Sequence, residues 1–145
     1  MTAFDHVGLS VSDLDAQAGW YVDTLGLVAS TPFEIPHLGI RGVFVVHPEQ
    51  KWAIELLARE GSHEGLRADD PPQALLTQGY GHICLRVDDV DAVYDRLLAA
   101  GATDRMSPRP APEEGVRMAF VADPEGHLIE LLDRRWPVGG RPEDS

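Results

Sequence analysis

The chain has a single cysteine, Cys84, which excludes both an intrachain disulfide and a zinc site built from several cysteines. Basic charge is also scarce: 12 Lys and Arg stand against 24 Asp and Glu, for a formal net charge of −12. That field repels phosphate backbones and anionic lipid surfaces, so neither nucleic acid nor a membrane is an expected partner. No apolar run approaches the roughly 20 residues that span a bilayer. The strand pattern begins within four residues of the N-terminus, which leaves no room for a signal peptide. With the single cysteine, this makes the cytoplasm the expected compartment.

What is present is a duplication. Phe4-Asp5-His6-Val7-Gly8-Leu9-Ser10-Val11 returns as Tyr80-Gly81-His82-Ile83-Cys84-Leu85-Arg86-Val87, an offset of 76 from His6 to His82. Ala53-Ile54-Glu55-Leu56-Leu57 returns as Leu128-Ile129-Glu130-Leu131-Leu132, an offset of 75 from Glu55 to Glu130. A period this long, present only twice, does not describe a solenoid. At 145 residues the chain has the length of one domain. The expected organisation is a single domain over residues 1–133, made of modules 1–60 and 80–133 with a linker at 61–79. A tail, 134–145, completes the chain, with Trp136 a candidate to pin its start.

Each module reads β-α-β-β-β. Residues 4–11 alternate, with Val7, Leu9 and Val11 on one face, as a half-buried strand does. Ser12 offers a helix N-cap, Asp13 and Asp15 suit a first turn, and a helix is expected to about Leu25 with Gly26 closing it. Strands are expected near 27–34, 40–46 and 52–58. The second module repeats the order with a strand at 80–87, a helix at 89–100 and strands near 102–106, 116–121 and 127–133. Asp123-Pro124-Glu125-Gly126 is a turn sequence. Residues 73–77 suggest a short helix, and the proline- and acid-rich stretch 107–115 reads as an exposed loop and candidate lid.

Alternation also sorts the chemistry-bearing residues. Residues two apart share a strand face, so His6 falls opposite Val7 and Leu9, and His82 opposite Ile83 and Leu85. Glu55 falls opposite Ile54 and Leu56, and Glu130 opposite Ile129 and Leu131. The apolar faces are expected against each module's helix, leaving the four titratable residues on the other side, inside a cleft if the two sheets curl toward each other. A strand histidine is commonly a hydrogen-bonded core residue, and an exposed sheet face also accommodates all four as solvated groups. Their matched occurrence in both modules favours ligation. A carboxylate flanked by Ile and Leu is costly to bury unless paired or metal-bound. Two imidazoles and two carboxylates suit one divalent Ni, Co, Zn, Mn or Fe with two positions open.

Several other residues carry two readings. Cys84 shares a face with His82; it either lines the cavity or packs as a small buried thiol, the commoner case. Arg41 and Arg117, again 76 apart, either hold a substrate carboxylate or phosphate or are surface arginines beside one of the many acids. His37 has no counterpart and is a candidate substrate contact or second acid/base. Trp20, Tyr21, Phe44 and Phe120 read as core, and His47, His63 and His127 as solvated.

These motifs resemble the vicinal oxygen chelate superfamily, which includes glyoxalase I, methylmalonyl-CoA epimerase, extradiol dioxygenases and the fosfomycin and bleomycin resistance proteins. The matching pieces are Asp5-His6-Val7-Gly8-Leu9, Trp20-Tyr21 with Leu25-Gly26-Leu27, Gly81-His82-Ile83, Val87-Asp88-Asp89-Val90-Asp91, and the run from Asp123 to Leu131. The resemblance implies an α+β, glyoxalase-like fold in which two tandem βαβββ modules form a curled mixed-sheet cleft. The ligand order His6, Glu55, His82, Glu130 resembles that of bacterial glyoxalase I and the similar set of methylmalonyl-CoA epimerase. By that likeness the expected activity is a metal-dependent lyase, isomerase or epimerase that takes a proton from the carbon beside a carbonyl or thioester and stabilises the enediolate. Glu130 and Glu55 would then be both ligands and candidate bases, and His6 and His82 fixed ligands. Ser10 stands where glyoxalase I has a basic residue for the glutathione carboxylate, and His37 where the epimerase has an acid. The resemblance also implies a homodimer, with the ligands drawn from one chain or shared. The alternatives are a metal-independent binding or resistance protein and, disfavoured by the fourth ligand, an extradiol-type dioxygenase.

Overall fold

The computed structural model describes all 145 residues, which fall into two compact units, Met1–Gly65 and Leu66–Ser145. In the first, strand β1 (His6–Ser10) leads into helix α1 (Leu14–Leu25), followed by β2 (Val28–Ala29), β3 (Phe33–Ile35), a 3-10 turn at Pro36–Leu38, β4 (Ile40–Val46) and β5 (Ala53–Arg59). The sheet order is β1-β5-β4-β2, with β3 also paired to β4. Strands β1 and β5 run parallel and the remaining pairs antiparallel.

The second unit repeats this plan. A one-turn helix α2 (Pro71–Ala74) precedes β6 (His82–Arg86), helix α3 (Val90–Ala99), β7 (Thr103–Pro110), β8 (Arg117–Ala122) and β9 (Leu128–Leu132). Its sheet order is β6-β9-β8-β7, with β6 parallel to β9. Both sheets are mixed, and the architecture is the α+β one expected from the duplicated β-α-β-β-β pattern. No helix is long and apolar enough to cross a membrane.

The helices explain which sheet face is buried. In α1, Leu14, Gln17, Tyr21 and Thr24 form the buried stripe at helical spacing, and the helix packs on β4 and β5. It covers Val43, Val45, Ile54 and Leu56, all nearly inaccessible. In the second unit α3 brings Val90, Tyr94 and Leu97 against Ala119, Val121, Ile129 and Leu131. Each large aliphatic side chain among these contributes roughly 1.5–3 kcal/mol by leaving water. These two faces are therefore the cores, and the opposite faces are what remains for function.

Four local expectations are corrected. Asp13, not Ser12, is the N-cap of α1: its Oδ1 accepts from the Ala16 amide at 3.0 Å, and Asp89 does the same for Ala92 at 3.0 Å in α3. The strand expected at 27–34 is two pieces, broken around Pro32, whose missing amide hydrogen cannot serve a continuous ladder. The short helix expected at 73–77 begins two residues earlier, at Pro71, capped by Asp70. The stretch expected as a loop at 107–115 is strand as far as Pro110. Prolines are tolerated there because β7 is the sheet edge, and its pairing with β8 is irregular on both sides of Met106.

The segment after β7 is tied to the C-terminal tail. Glu113 accepts from Arg134 Nε at 2.9 Å and from Trp136 Nε1 at 2.9 Å. Trp136 is buried with Val116 and Leu132. The segment Leu66–Ala74 packs at the other end of the same sheet, with Ala68 and Ala74 against Leu128. The Arg134 guanidinium, with help from the Trp136 indole, holds the Glu113 carboxyl below its ordinary value. A carboxyl whose pKa is lowered by folding adds stability above its unfolded pKa and loses it as pH falls through the folded one. Acidification below the usual carboxylate range is thus expected to release Trp136, seen as a shift of its indole N–H resonance, and Glu113→Gln is expected to remove that acid step. A Trp136 resonance that titrates identically in both proteins contradicts the tether.

Candidate metal centre

In each unit the parallel pairing of first and last strands fixes which side chains meet. Gly8 lies across from Glu55 and His6 across from Ala53, so the imidazole sits diagonally beside the carboxylate on one face. In the second unit Cys84 lies across from Glu130 and His82 across from Leu128, giving the same diagonal. The side chains meet accordingly: His6 Nε2 is 3.7 Å from Glu55 Oε1, and His82 Nε2 is 3.0 Å from Glu130 Oε2. Both carboxylates are half-buried, at 22% and 18% side-chain exposure, while the imidazoles are more open. All four lie on the face away from the unit's helix, as alternation implies.

Each imidazole also has an aromatic neighbour. His6 meets Phe44 edge-on with ring centres 5.2 Å apart, and His82 meets Phe120 in the same way at 5.2 Å. Phe44 is across from Glu55 and Phe120 across from Glu130, so imidazole, carboxylate and phenyl form one repeated trio. Phe120 is buried, as its reading as core expects, and Phe44 is half-buried; that reading left out their contact with the donor pair. The signal was present: they are 76 apart like the histidines, and they sit out of phase with Val43 and Val45 and with Ala119 and Val121. On the first sheet Phe33 extends the aromatic row, 6.0 Å from Phe44, and the far end of its ring lies against Gly42, leaving no space there for a Cβ. The positions matching Phe33 and Gly42 are Arg109 and Met118, paired in the same register.

Other details separate the two faces. Asp5 Oδ2 contacts His6 Nδ1 at 2.7 Å, whereas the residue before His82 is Gly81. Cys84 occupies the place of Gly8. It is solvent-exposed on the His82–Glu130 face, which corrects the expectation of a thiol packed inside. Its pKa is nonetheless pushed up to about 12, first by desolvation from surrounding protein atoms and then by the negative charge of Glu130. In the metal-free protein the thiol therefore holds its proton more firmly than an ordinary cysteine does. The structure gathers no group of three or more His, Cys, Asp or Glu side chains that could hold a metal ion. What each unit supplies is one nitrogen and one carboxylate donor.

The two arginines expected at the site lie elsewhere. Arg41 shares the phase of Val43 and Val45, on the helix side of β4, with Nη2 3.4 Å from Asp15 Oδ1 in the first turn of α1. Arg117 shares the phase of Ala119 and Val121, and its Nη2 donates to Asp91 Oδ1 at 2.9 Å in the first turn of α3. That guanidinium lowers the Asp91 pKa. The duplicated arginines are thus strand-to-helix ties on the opposite face from their unit's His–Glu pair, and the surface-arginine reading replaces the substrate-anion one. His37 stands exposed on the 3-10 turn before β4, and no contact ties it to His6 or Glu55. Two histidines expected to be solvated are turn builders instead. His47 Nδ1 accepts from the Gln50 amide at 3.0 Å, and His127 Nδ1 contacts Asp123 Oδ2 at 2.8 Å.

A family profile described as the Glyoxalase/Bleomycin resistance protein/Dioxygenase superfamily matches residues 3–131. The ethylmalonyl-CoA/methylmalonyl-CoA epimerase of Cereibacter sphaeroides is 36% identical over 132 residues, covering 88% of this chain and 94% of that one. A protein of Vibrio cholerae named as a probable lactoylglutathione lyase is 28% identical over 137 residues, covering 93% of each. Among solved structures, glyoxalase I of Zea mays matches with a TM-score of 0.72 at 24% identity, over 90% of this chain. The chain spans only 44% of the maize protein, and at that identity the likeness concerns the fold alone. The chain belongs to the Glyoxalase/Bleomycin resistance protein/Dioxygenase superfamily.

Because Arg41 and Arg117 face the helices, Arg41→Gln and Arg117→Gln are expected to shift the unfolding midpoint only slightly and to leave affinity for carboxylate- or phosphate-bearing ligands at the wild-type level. A loss of such affinity in either variant, measured by calorimetry, would return the arginines to the site.

Proposed function

We propose that the protein is a glyoxalase-family enzyme, a lyase or epimerase that moves a proton on the carbon beside a carbonyl or thioester group. In this reading His6, Glu55, His82 and Glu130 are ligands of one divalent cation. The observation that carries it is the repeated placement of one imidazole and one carboxylate, side by side, on the sheet face each helix leaves uncovered. The donor set fits: two imidazole nitrogens and two carboxylates suit Ni, Co, Zn, Mn or Fe and leave two octahedral positions. The relatives named epimerase and lactoylglutathione lyase support the reaction class.

When bound, such a cation supplies a Lewis acid where negative charge develops on the carbonyl oxygen. The chain's own groups do the rest. Glu130, with Glu55 as its counterpart, is the carboxylate base that takes the proton from carbon and returns it. Glu130 lies across from Phe120 and keeps 18% side-chain exposure, so its carboxylate is partly desolvated yet still able to exchange its proton with solvent. Phe44 and Phe120 fix the planes of the two imidazoles. The proposal includes a small-molecule carbonyl or thioester substrate, a cytoplasmic setting and a homodimer. Leu75, Leu76 and Tyr80, at 79%, 85% and 105% exposure, are apolar surface available to a second copy.

The test combines elemental analysis of the purified protein with deuterium wash-in at the α-carbon. The probes are methylmalonyl-CoA and the thiohemiacetal of methylglyoxal with glutathione. Glu130→Gln keeps the shape and removes the base, so exchange is expected to fall by about 10²-fold or more with the circular dichroism spectrum unchanged. His6→Ala is expected to lose most bound metal. A fully active Glu130→Gln protein sinks the assigned role. A metal-free wild type that binds either probe without exchange points to sequestration instead of turnover.

A further inference from the structure

The two His–Glu pairs are chemically unequal, and the inequality traces to one residue. A carboxylate only accepts hydrogen bonds, so the 2.7 Å contact between Asp5 Oδ2 and His6 Nδ1 requires the hydrogen to be on Nδ1. The neutral His6 ring then carries its lone pair on Nε2. That nitrogen faces Glu55 Oε1 at 3.7 Å, beyond hydrogen-bond reach, so two lone-pair donors converge with no hydrogen between them. In the second unit the geometry is reversed. His82 Nε2 is 3.0 Å from Glu130 Oε2, a hydrogen-bond distance that requires the hydrogen on Nε2. The preceding residue is Gly81, which has no side chain to offer the His82 Nδ1.

We propose that Asp5 is a positioning residue for the metal centre. By holding the Nδ1 hydrogen of His6 it keeps Nε2 free beside Glu55, so the first unit presents a pre-set donor pair. The second unit must first move the His82 hydrogen from Nε2 to Nδ1. This rests on the metal-dependent reading and adds an order to it: His6 and Glu55 are ready to engage a cation, whereas His82 and Glu130 are bonded to each other until one arrives. Carboxylate partners of ligating histidines act in this way in general, fixing the tautomer and raising the basicity of the coordinating nitrogen.

The chain also supplies a transplant site. No atom lies within 4 Å of a Cβ built at Gly81, and its backbone is not in the left-handed region, so the position has open space for a side chain such as aspartate. Asp5 itself is exposed, so its replacement does not threaten the fold.

The experiment reads imidazole tautomers from 15N shifts of the metal-free protein, at a pH where both rings are neutral, and measures Ni and Zn affinity by competition with a chromophoric chelator. In wild type, His6 is expected to carry its hydrogen on Nδ1 and His82 on Nε2. Asp5→Ala is expected to lose the His6 preference and about 10–100-fold in affinity. Asp5→Asn, which keeps an accepting oxygen without the charge, is expected to lose less. Gly81→Asp is expected to move the His82 hydrogen to Nδ1 and raise affinity. Identical tautomers and affinities in wild type and Asp5→Ala overturn the positioning role alone. A wild type that takes up neither metal overturns the metal-dependent reading and this inference with it, whatever the tautomers.

Discussion

The parallel pairing between the first and last strands of each unit is the constraint on which the rest depends. A parallel ladder allows no hairpin between its partners, so β1 and β5 enclose the helix and all the other strands of the unit, as β6 and β9 do. That pairing brings residues about fifty positions apart into one register, and the register decides which imidazole lies beside which carboxylate. A slip by a single residue would turn Glu55 or Glu130 into the helix-packed face and an aliphatic side chain outward. The aliphatic pairs Ile54 with Leu56 and Ile129 with Leu131, all nearly inaccessible, resist that slip. The cores are therefore what hold the donor geometry.

The same logic explains why the two faces differ in finish. In the second unit the strand bearing Glu130 is covered at one end by Ala68 and Ala74 on Leu128, and at the other by Trp136 on Leu132. Between those covers remain the imidazole, the carboxylate, the Cys84 thiol and the Phe120 ring. In the first unit the corresponding place is walled by Phe44 and Phe33, the latter able to lie against the sheet only because position 42 is glycine. Two copies of one repeated pattern thus share the donors and differ in what surrounds them.

Much of this was legible in the sequence because strands have a period of two and both copies keep it. The order of elements, the C-terminal end of α1 and the face carrying His6, Glu55, His82 and Glu130 all emerge from the alternation of aliphatic residues and the placing of Gly26. What escaped has physical reasons. Ser12 and Asp13 are both good caps, and only the backbone turn selects between them. Pro108 and Pro110 read as loop, yet an edge strand accepts proline because its outward amides have no partner to lose. Arg41 and Arg117 invited a substrate role through their matched spacing, but Asp15 and Asp91 carry the same offset of 76 and are the partners they meet. Phe44 and Phe120 were assigned by residue type, where their phase along β4 and β8 pointed to the donor face. The contact between His6 Nδ1 and Asp5 Oδ2 depends on where the Asp5 side chain turns, which alternation along the strand does not specify.

Family membership and the duplicated donor pairs support the central proposal, that two imidazoles and two carboxylates ligate a divalent cation that activates a carbonyl. Metal-edge X-ray absorption on the nickel- or cobalt-loaded protein tests it most directly, because imidazole rings give a multiple-scattering pattern that counts them and sulfur scatters distinctly from oxygen. The account predicts a six-coordinate nitrogen and oxygen shell with two imidazoles and no sulfur. A shell containing the Cys84 sulfur, or one with no imidazole, would contradict it.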